Sequence, residues 1–172
     1  MTMSHIEQTL LIIKPDGVER GVIGKIITQL EERGLKIVGL KMTTADKQLA
    51  EKHYGGLGDR LNKRGLEGDK IQAQMIDFLL SGPVVAMVIE GVKAVEYVKR
   101  LAGATYPNES EFGTIRGMFA HVTRQHANES DRAVRNLVHA SDPDEHPEQE
   151  IALWFKPEEL VDYQTVHQSN TW

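Results

Sequence analysis

Hydrophobic and polar positions along the chain follow two periodic patterns. Short apolar runs bounded by turn residues predict four strands, at 9–14, 35–42, 84–90 and 136–139. Between them, apolar residues recur three and four positions apart, which predicts helices at 21–33, 46–54, 71–80 and 92–103, and a last helix through about 155. Strands separated by helices or turns predict an α/β sandwich, in which helices pack on an antiparallel or mixed sheet.

Three segments fit neither pattern clearly. The stretch 55–70 holds five glycines and seven charged residues, so it is predicted to be an exposed loop. The stretch 104–117 is predicted to be irregular, and the pattern of 118–135 is ambiguous. No internal repeat and no low-complexity segment divides the chain, so we expect a single core.

Composition and charge narrow the class of protein. A chain of 172 residues with 40% hydrophobic and 26% charged residues predicts one globular domain spanning 1–172. The formal charge of −5 argues against a broadly cationic nucleic-acid or membrane binder, but it permits a local basic pocket. The absence of cysteine excludes disulfides and thiolate metal sites. The start lacks the pattern of a signal peptide and no run reaches the ~20 apolar residues of a membrane span, so we expect a cytoplasmic protein.

Several residues at segment ends are suited to binding phosphate. Gly24-Lys25 resembles the end of a P-loop, but Ile26 follows where a serine or threonine would bind magnesium, so a P-loop is excluded. Lys14 ends the first predicted strand, and three further candidates lie in or after the fourth predicted helix: Lys99, Thr105 and Arg116. Taken singly, each cation is more simply a solvated side chain or a charge that favours a helix C-terminus.

His139 gives this pattern a chemical centre. A histidine beside apolar residues is more often a structural residue or a metal ligand, but the other histidines lack metal-ligand spacing. A neutral imidazole has a free lone pair near neutral pH and can attack phosphorus to form a covalent intermediate. The second ring nitrogen then needs a partner that fixes the tautomer, and Glu150 on the next helix is a plausible one.

A set of motifs also resembles a known family. These motifs are LIIKPDGVERGVIGKII, HY at 53–54, SGPVVAMVIEG, GAT at 103–105, GTIRG at 113–117, RNLVHASD and EIALWFKPEELVDY. Together they closely resemble nucleoside diphosphate kinases, from about residue 8 to 164 and in the same order.

The resemblance implies a fold, an activity and partners. The family fold is a ferredoxin-like βαββαβ sandwich, with an antiparallel four-stranded sheet covered by helices. Its members move the terminal phosphoryl group from a nucleoside triphosphate to a nucleoside diphosphate by a ping-pong reaction through a phosphohistidine. They need Mg²⁺, which the nucleotide phosphates carry, so no metal bound by protein residues is expected. They assemble as hexamers or tetramers, and neither a membrane nor a nucleic-acid partner is expected.

The resemblance also assigns roles to individual residues. His139 is the nucleophile, Glu150 orients it, Tyr54 supports His139 and Lys14, and Ser141 hydrogen-bonds nearby. The predicted contacts to phosphates or sugar hydroxyls come from four residues: Lys14, Thr105, Arg116 and Asn136.

This chain departs from the family pattern at several positions. Lys99 replaces a phosphate-binding arginine and loses its bidentate fork. Ala140 replaces a glycine, which would cost about 1 kcal/mol if the position needs a positive φ. By spacing, Ile71 lies nearest to the aromatic residue that stacks on the base. Tyr106 and Phe112 replace an asparagine and a proline in a loop that shapes subunit contacts in the family.

Two insertions of roughly ten residues are further departures, near 55–70 and 121–133. The second one is either a lid or a new subunit contact, or a solvent-facing elaboration without a role in the reaction.

Two alternatives to an active kinase follow from these observations. The first is a catalytically weak, regulatory nucleotide-binding homologue, motivated by Lys99, Ala140 and the missing stacking aromatic. The second is a nucleic-acid-binding module on the same fold, against which the negative net charge argues.

Overall fold

The computed structural model describes residues 5–166 and 168–171, and it places four strands at the centre of the molecule. They are β1 (Ile6–Ile13), β2 (Lys36–Thr43), β3 (Val84–Val92) and β4 (Val138–Ala140). They form one sheet in the order β2-β3-β1-β4, and each neighbouring pair is antiparallel. The expected four-stranded antiparallel sheet covered by helices is confirmed.

Ten helices surround this sheet in the described part of the chain. They are α1 (Pro15–Glu19), α2 (Ile23–Glu31), α3 (Lys47–His53), α4 (Leu57–Asn62), α5 (Gly68–Leu80), α6 (Ala94–Ala102), α7 (Ile115–Phe119), α8 (Arg124–Glu129), α9 (Pro147–Trp154) and α10 (Gln168–Thr171). Short 3₁₀ turns lie at Pro107–Glu109, Pro143–Glu145 and Pro157–Glu159.

Burial on both faces of the sheet explains why β1 is a continuous apolar run rather than an alternating one. Leu11 and Ile13 belong to a core cluster with residues of α2 and α6. Leu10 and Ile12 belong to a second cluster, with residues of α3, α5 and α9. The two sets of helices therefore cover opposite faces of the sheet.

The register of β4 decides which face carries the imidazole. His139 lies opposite Ile12 in the antiparallel β1–β4 pair. Residues directly opposite each other in such a pair point to the same face of the sheet. The imidazole therefore lies on the face covered by α3, α5 and α9.

The segment 55–70 is mostly exposed, as predicted, but the prediction of a loop is wrong, because the segment contains α4 and the first residues of α5. The many glycines and charges there suggested flexibility, but one glycine is needed for packing between the two helices. A Cβ on Gly68 would lie 2.1 Å from the carbonyl oxygen of Gly58. The close approach of α4 and α5 excludes any side chain at that position.

Other boundaries shift by a few residues. Lys14 lies just after β1 as the N-cap of α1, so a helix follows the strand where a turn was predicted. Asn136 and Leu137 precede β4 instead of belonging to it. The segment 104–117, predicted to be irregular, contains a 3₁₀ turn and the start of α7, and 118–135 contains α8.

Candidate active site

A carboxylate holds the imidazole of His139 from one side. Nε2 of His139 lies 2.9 Å from Oε1 of Glu150 on α9, and the hydroxyl of Ser141 donates to Oε2. Burial raises the pKa of Glu150, but the hydrogen bonds from His139 and Ser141 and the charge of His139 outweigh burial and lower it to about 2. Glu150 is therefore ionised and can only accept, so in the neutral form of the imidazole the proton lies on Nε2 and the lone pair on Nδ1.

A strained turn precedes the imidazole. Leu137 is fully buried with a φ of +71°, and the amide that follows it donates to the carbonyl of Asn136 at 2.8 Å. A γ-turn with positive φ is rare and persists only where its surroundings hold it. Here Oδ2 of Asp16 accepts from the amide of Leu137 at 3.0 Å, and the amide of Lys14 donates to its carbonyl at 2.8 Å. The backbone leading to His139 is therefore tied to the segment that follows β1.

The glycine of the KPDG motif makes this close contact possible. A Cβ on Gly17 would lie 2.6 Å from Cγ2 of Ile13 and 3.1 Å from the carbonyl oxygen of Leu137. No side chain fits between β1 and the strained turn without displacing one of them.

Lys14 is buried, with only 2% of its surface exposed. Its ammonium donates to Oδ1 of Asn136, whose amide nitrogen donates to the carbonyl of Thr105 at 2.7 Å. Burial lowers the pKa of Lys14 to about 7; Asp16 acts in the opposite direction, and Arg116 and Arg135 lower it further. A nearby phosphate would favour the charged form, so Lys14 is poised to gain a proton when an anion binds.

Arg116 is also buried, and most of its donors are already used. Nε donates to the carbonyl of Asn136 at 3.0 Å, Nη1 to those of Gly103 and Ala104 at 2.8 and 3.0 Å, and Nη2 to that of Val138 at 2.7 Å. Four of its five N–H groups therefore tie together two backbone segments, 103–104 and 136–138, and one remains for a ligand. Burial lowers the pKa of Arg116 to about 10, so it stays charged near neutral pH.

His53 is a site residue that sequence reasoning missed, although the HY motif marked its position. Its ring centroid lies 4.4 Å from that of His139, with the planes at 80°. Its Nδ1 accepts from Nε1 of Trp154 at 3.3 Å and lies 3.6 Å from Oε1 of Glu150. Burial lowers the pKa of His53 to about 3, so the ring is neutral. It packs against the imidazole of His139 without adding a competing charge.

The other predicted residues occupy different parts of the same cleft. Tyr54 is buried with its ring 4.7 Å from that of His53, so in the described contacts His53 is the ring that packs on His139. Lys99 lies in the last turn of α6, with Nζ 3.2 Å from Oδ2 of Asp142. Ile71 lines the cleft from α5.

The concern about a backbone mismatch at Ala140 does not arise. This residue lies in β4 opposite Leu11, and it is absent from the described residues with positive φ. Extended backbone accepts alanine without strain.

These residues line a cleft of about 710 Å³ that is strongly basic although the chain is acidic. The basic residues of its wall are Lys14, Lys52, Arg60, Arg64, Lys99, Arg116 and Arg132, against the carboxylates of Asp144 and Glu150. Such a cleft concentrates field lines and attracts an anionic ligand.

One cluster has the spacing of a metal site. The ligand atoms of His53, His139 and Glu150 lie within 4.8 Å of one another. The relevant atoms are engaged in hydrogen bonds, since Nε2 of His139 donates to Glu150 and Nδ1 of His53 accepts from Trp154. The cluster therefore fits a hydrogen-bonded support for one imidazole better than a metal cage.

In the described part of the chain, every helix is too short or too polar to cross a membrane.

The amino-acid sequence of the chain matches one known protein family over most of its length. A family model described as nucleoside diphosphate kinase matches residues 7–160. The nucleoside diphosphate kinase of Pyrococcus furiosus is 45% identical over 161 residues, which cover 94% of this chain and 90% of the relative. That of Pyrococcus horikoshii is 48% identical over 161 residues, which cover 94% and 92%.

Solved structures of the same family superimpose on this chain. A nucleoside diphosphate kinase from Borrelia burgdorferi, described as a transition-state mimic with bound vanadate and ADP, superimposes with a TM-score of 0.90 at 37% identity over 96% of each chain. A halophilic nucleoside diphosphate kinase from Halobacterium salinarum in complex with CDP superimposes with a TM-score of 0.79 at 39% identity, over 98% of this chain and 99% of the other.

Proposed function

The chain belongs to the nucleoside diphosphate kinase family, and we propose that it transfers a phosphoryl group from a nucleoside triphosphate to a nucleoside diphosphate on the imidazole of His139. One observation carries the role of His139. Its Nε2 is held at 2.9 Å by the ionised Glu150, which leaves the lone pair of Nδ1 available at a basic cleft.

The reaction consists of two balanced steps. The lone pair on Nδ1 attacks the terminal phosphorus of a nucleoside triphosphate, a P–N bond forms, and the bond to the bridging oxygen breaks to release the diphosphate. A terminal oxygen of a second nucleoside diphosphate then attacks the phosphorus, and the P–N bond breaks. The proton on Nε2 stays shared with Glu150 throughout, and the carboxylate stabilises the positive charge that develops on the ring.

The surrounding residues take binding and orienting roles. Protonated Lys14 and the remaining N–H of Arg116 bind phosphate oxygens, and hydrogen bonds to Lys14 and to the carbonyl of Thr105 hold Asn136 between them. Lys99 adds an exposed cation, Tyr54 supports the neighbouring ring of His53, and Ile71 contacts the nucleoside. Phosphoryl transfer depends mainly on positioning and charge stabilisation, which this set supplies.

The residues of this site fit a magnesium ion that is bound by the phosphates of the nucleotide. Both carboxylate oxygens of Glu150 are engaged, which leaves Asp144 as the remaining carboxylate in the described wall of the cleft. Mg²⁺ needs several oxygen ligands and is commonly bound through substrate phosphates and water. When bound there, it neutralises phosphate charge and orients the transferring group.

The alternative of a catalytically weak regulatory homologue is not favoured. Lys99 keeps a cation at the cleft, and Ala140 lies in unstrained strand backbone. The matching relatives are nucleoside diphosphate kinases, and one of the matching structures mimics the transition state.

We also propose that the chain is a single domain that forms a homo-oligomer, a tetramer or a hexamer, in the cytoplasm. The support for assembly is apolar exposure: Phe112 is 96% exposed, and Leu40 and Met42 are exposed on the edge strand β2. Native mass spectrometry of wild type and Phe112→Ala tests it; a monomeric wild type would refute the proposal.

The test of the phosphohistidine is a labelling experiment. Wild type, His139→Asn and the control His121→Asn are incubated with Mg²⁺ and γ-labelled ATP, quenched, and in parallel chased with CDP. His121 is exposed and lies outside the cleft wall, so its variant should behave as wild type does. We expect acid-labile label on wild type and the control that passes to CDP, and none on His139→Asn. Label retained on His139→Asn would refute the assignment.

A further inference from the structure

Two segments outside the sheet contribute to the wall of the cleft. We name residues 57–80, which contain α4 and α5, the hairpin, and residues 124–133, which contain α8, the strap. The hairpin contributes aliphatic side chains such as Leu66 and Ile71, and the strap contributes Ala127 and Ala133. The terminal phosphate must lie at His139, so these aliphatic walls are left for the nucleoside.

The strap is fastened at both of its ends. At one end, the guanidinium of Arg124 lies 4.5 Å from the ring centroid of Tyr106, a cleft residue of the loop before α7. At the other end, Oδ1 of Asp131 lies 2.7 Å from Nζ of Lys70 and accepts from Nε2 of Gln74 at 3.2 Å, both on α5. The strap therefore bridges from the loop to the hairpin.

The backbone places Asp131 for this contact. It follows α8 in the left-handed region, with a φ of +47°, and its amide donates to the carbonyl of Asn128 at 3.1 Å. Aspartate tolerates this conformation better than most residues, because its short polar side chain can hydrogen-bond locally. The turn that ends α8 therefore presents the carboxylate to the hairpin.

We propose that Asp131 is a positioning residue, which ties the strap to the hairpin and slows release of the bound nucleotide. This inference rests on the proposed function, since it takes the ligand to be a nucleotide. Lys70 and Asp131 are largely exposed, and an exposed ion pair contributes little. The tie therefore affects how often the walls part, and it leaves the chemistry at His139 unchanged.

The test is a charge reversal with rescue. Lys70→Glu places like charges opposite each other, and Lys70→Glu/Asp131→Lys restores an opposite pair in the reverse order. Lysine tolerates the backbone required at 131, because Lys93 already has a φ of 49° in this chain. The matched control is Lys47→Glu, which makes the same charge change at an exposed i,i+4 pair with Glu51, outside the cleft wall.

The readouts are the dissociation rate of a fluorescent ADP derivative in stopped flow, together with KM and kcat. For Lys70→Glu we expect about two- to fivefold faster dissociation and a similar rise in KM, the range open to one exposed pair, without a fall in kcat. The double variant and Lys47→Glu should match wild type. High salt should speed dissociation from wild type towards the Lys70→Glu rate, because it screens the pair.

Equal dissociation rates and KM values for Lys70→Glu and Lys47→Glu would overturn the proposal, and so would a double variant no better than Lys70→Glu. Failure of the proposed function would be a separate result, because the wild-type protein would then carry no label on His139 in the labelling experiment. The dissociation measurement needs only binding and would still report on the tie.

Discussion

The most direct test of the site is Glu150→Gln, because this change removes a charge and little else. A glutamine oxygen can still accept from Nε2 of His139, so the tautomer with its lone pair on Nδ1 is kept. The amide group would face the hydroxyl of Ser141, which can accept as well as donate. The variant therefore isolates the effect of the negative charge on the ring.

The structure sets bounds on the loss of rate. The pKa of Glu150 falls from 4.5 to about 2, and at 1.36 kcal/mol per pKa unit this is about 3 kcal/mol of preference for the ionised form. His139, Ser141 and His53 share this net preference, which already includes the opposing effect of burial, so about 3 kcal/mol serves as the larger estimate of the loss. Hydrogen bonds to charged groups exceed neutral ones by about 1 kcal/mol, which is a lower bound. We expect the rate of phosphohistidine formation to fall between about fivefold and 150-fold.

The assay is quench-flow measurement of labelled enzyme after mixing with Mg²⁺ and γ-labelled ATP. ADP affinity and the midpoint of thermal unfolding, measured in parallel, show whether binding and folding survive. A wild-type rate in Glu150→Gln would refute the reasoning that the carboxylate stabilises charge on the imidazole. A complete loss with normal binding would also contradict it, because the loss would exceed what this charge can supply.

Four further predictions follow from the cleft. In wild type, kcat/KM measured by a coupled assay should fall as the pH rises through about 7, because Lys14 loses its proton there. The variant Lys14→Arg stays protonated over this range, so its pH profile should be flatter. By linkage, the contribution of Lys14 to the free energy of unfolding should rise between about pH 7 and 10.5, where only the unfolded chain keeps the proton on this lysine. Urea unfolding of wild type and of Lys14→Met at several pH values tests this, because the difference between their free energies of unfolding should change with pH in that direction. His53→Phe keeps a ring against His139 but leaves the indole N–H of Trp154 unpaired, so urea denaturation should show a loss of about 1–3 kcal/mol, and an unchanged midpoint would contradict this. Lys99→Ala should raise KM for nucleotides about fivefold, since one partly exposed charged contact is lost, with kcat within about twofold; steady-state kinetics with unchanged KM would exclude Lys99 from phosphate binding.

The amino-acid sequence by itself determined those features that depend on the pattern of neighbouring residues. The apolar run of β1 and the helical spacing of α2 and α6 follow from periodicity and turn residues, and so does a strand around His139, although β4 ends one residue later, at Ala140. The motifs around Lys14 and His139 were sufficient to identify the family and the proposed nucleophile. These features are readable because each depends on residues close together in sequence.

Local signals failed where packing overrides them. The helix α4 and the first residues of α5 are masked by glycines, one of which serves close helix contact, as Gly68 shows. A signal for α8 was present, since Thr123 is its N-cap and accepts from the amide of His126. This signal did not lead to a helix prediction, because apolar residues do not recur at helical spacing in the segment.

Only the tertiary structure decided the detailed roles in the site. It showed that Arg116 is a buried tie between backbone segments that keeps one N–H for a ligand, and it placed His53 against the imidazole of His139. It also joined Lys70 to Asp131 across two segments that the sequence marked separately as insertions. Such contacts join residues distant along the chain, and their partners are selected by the register of the sheet and the packing of helices on it, which no short stretch of sequence encodes.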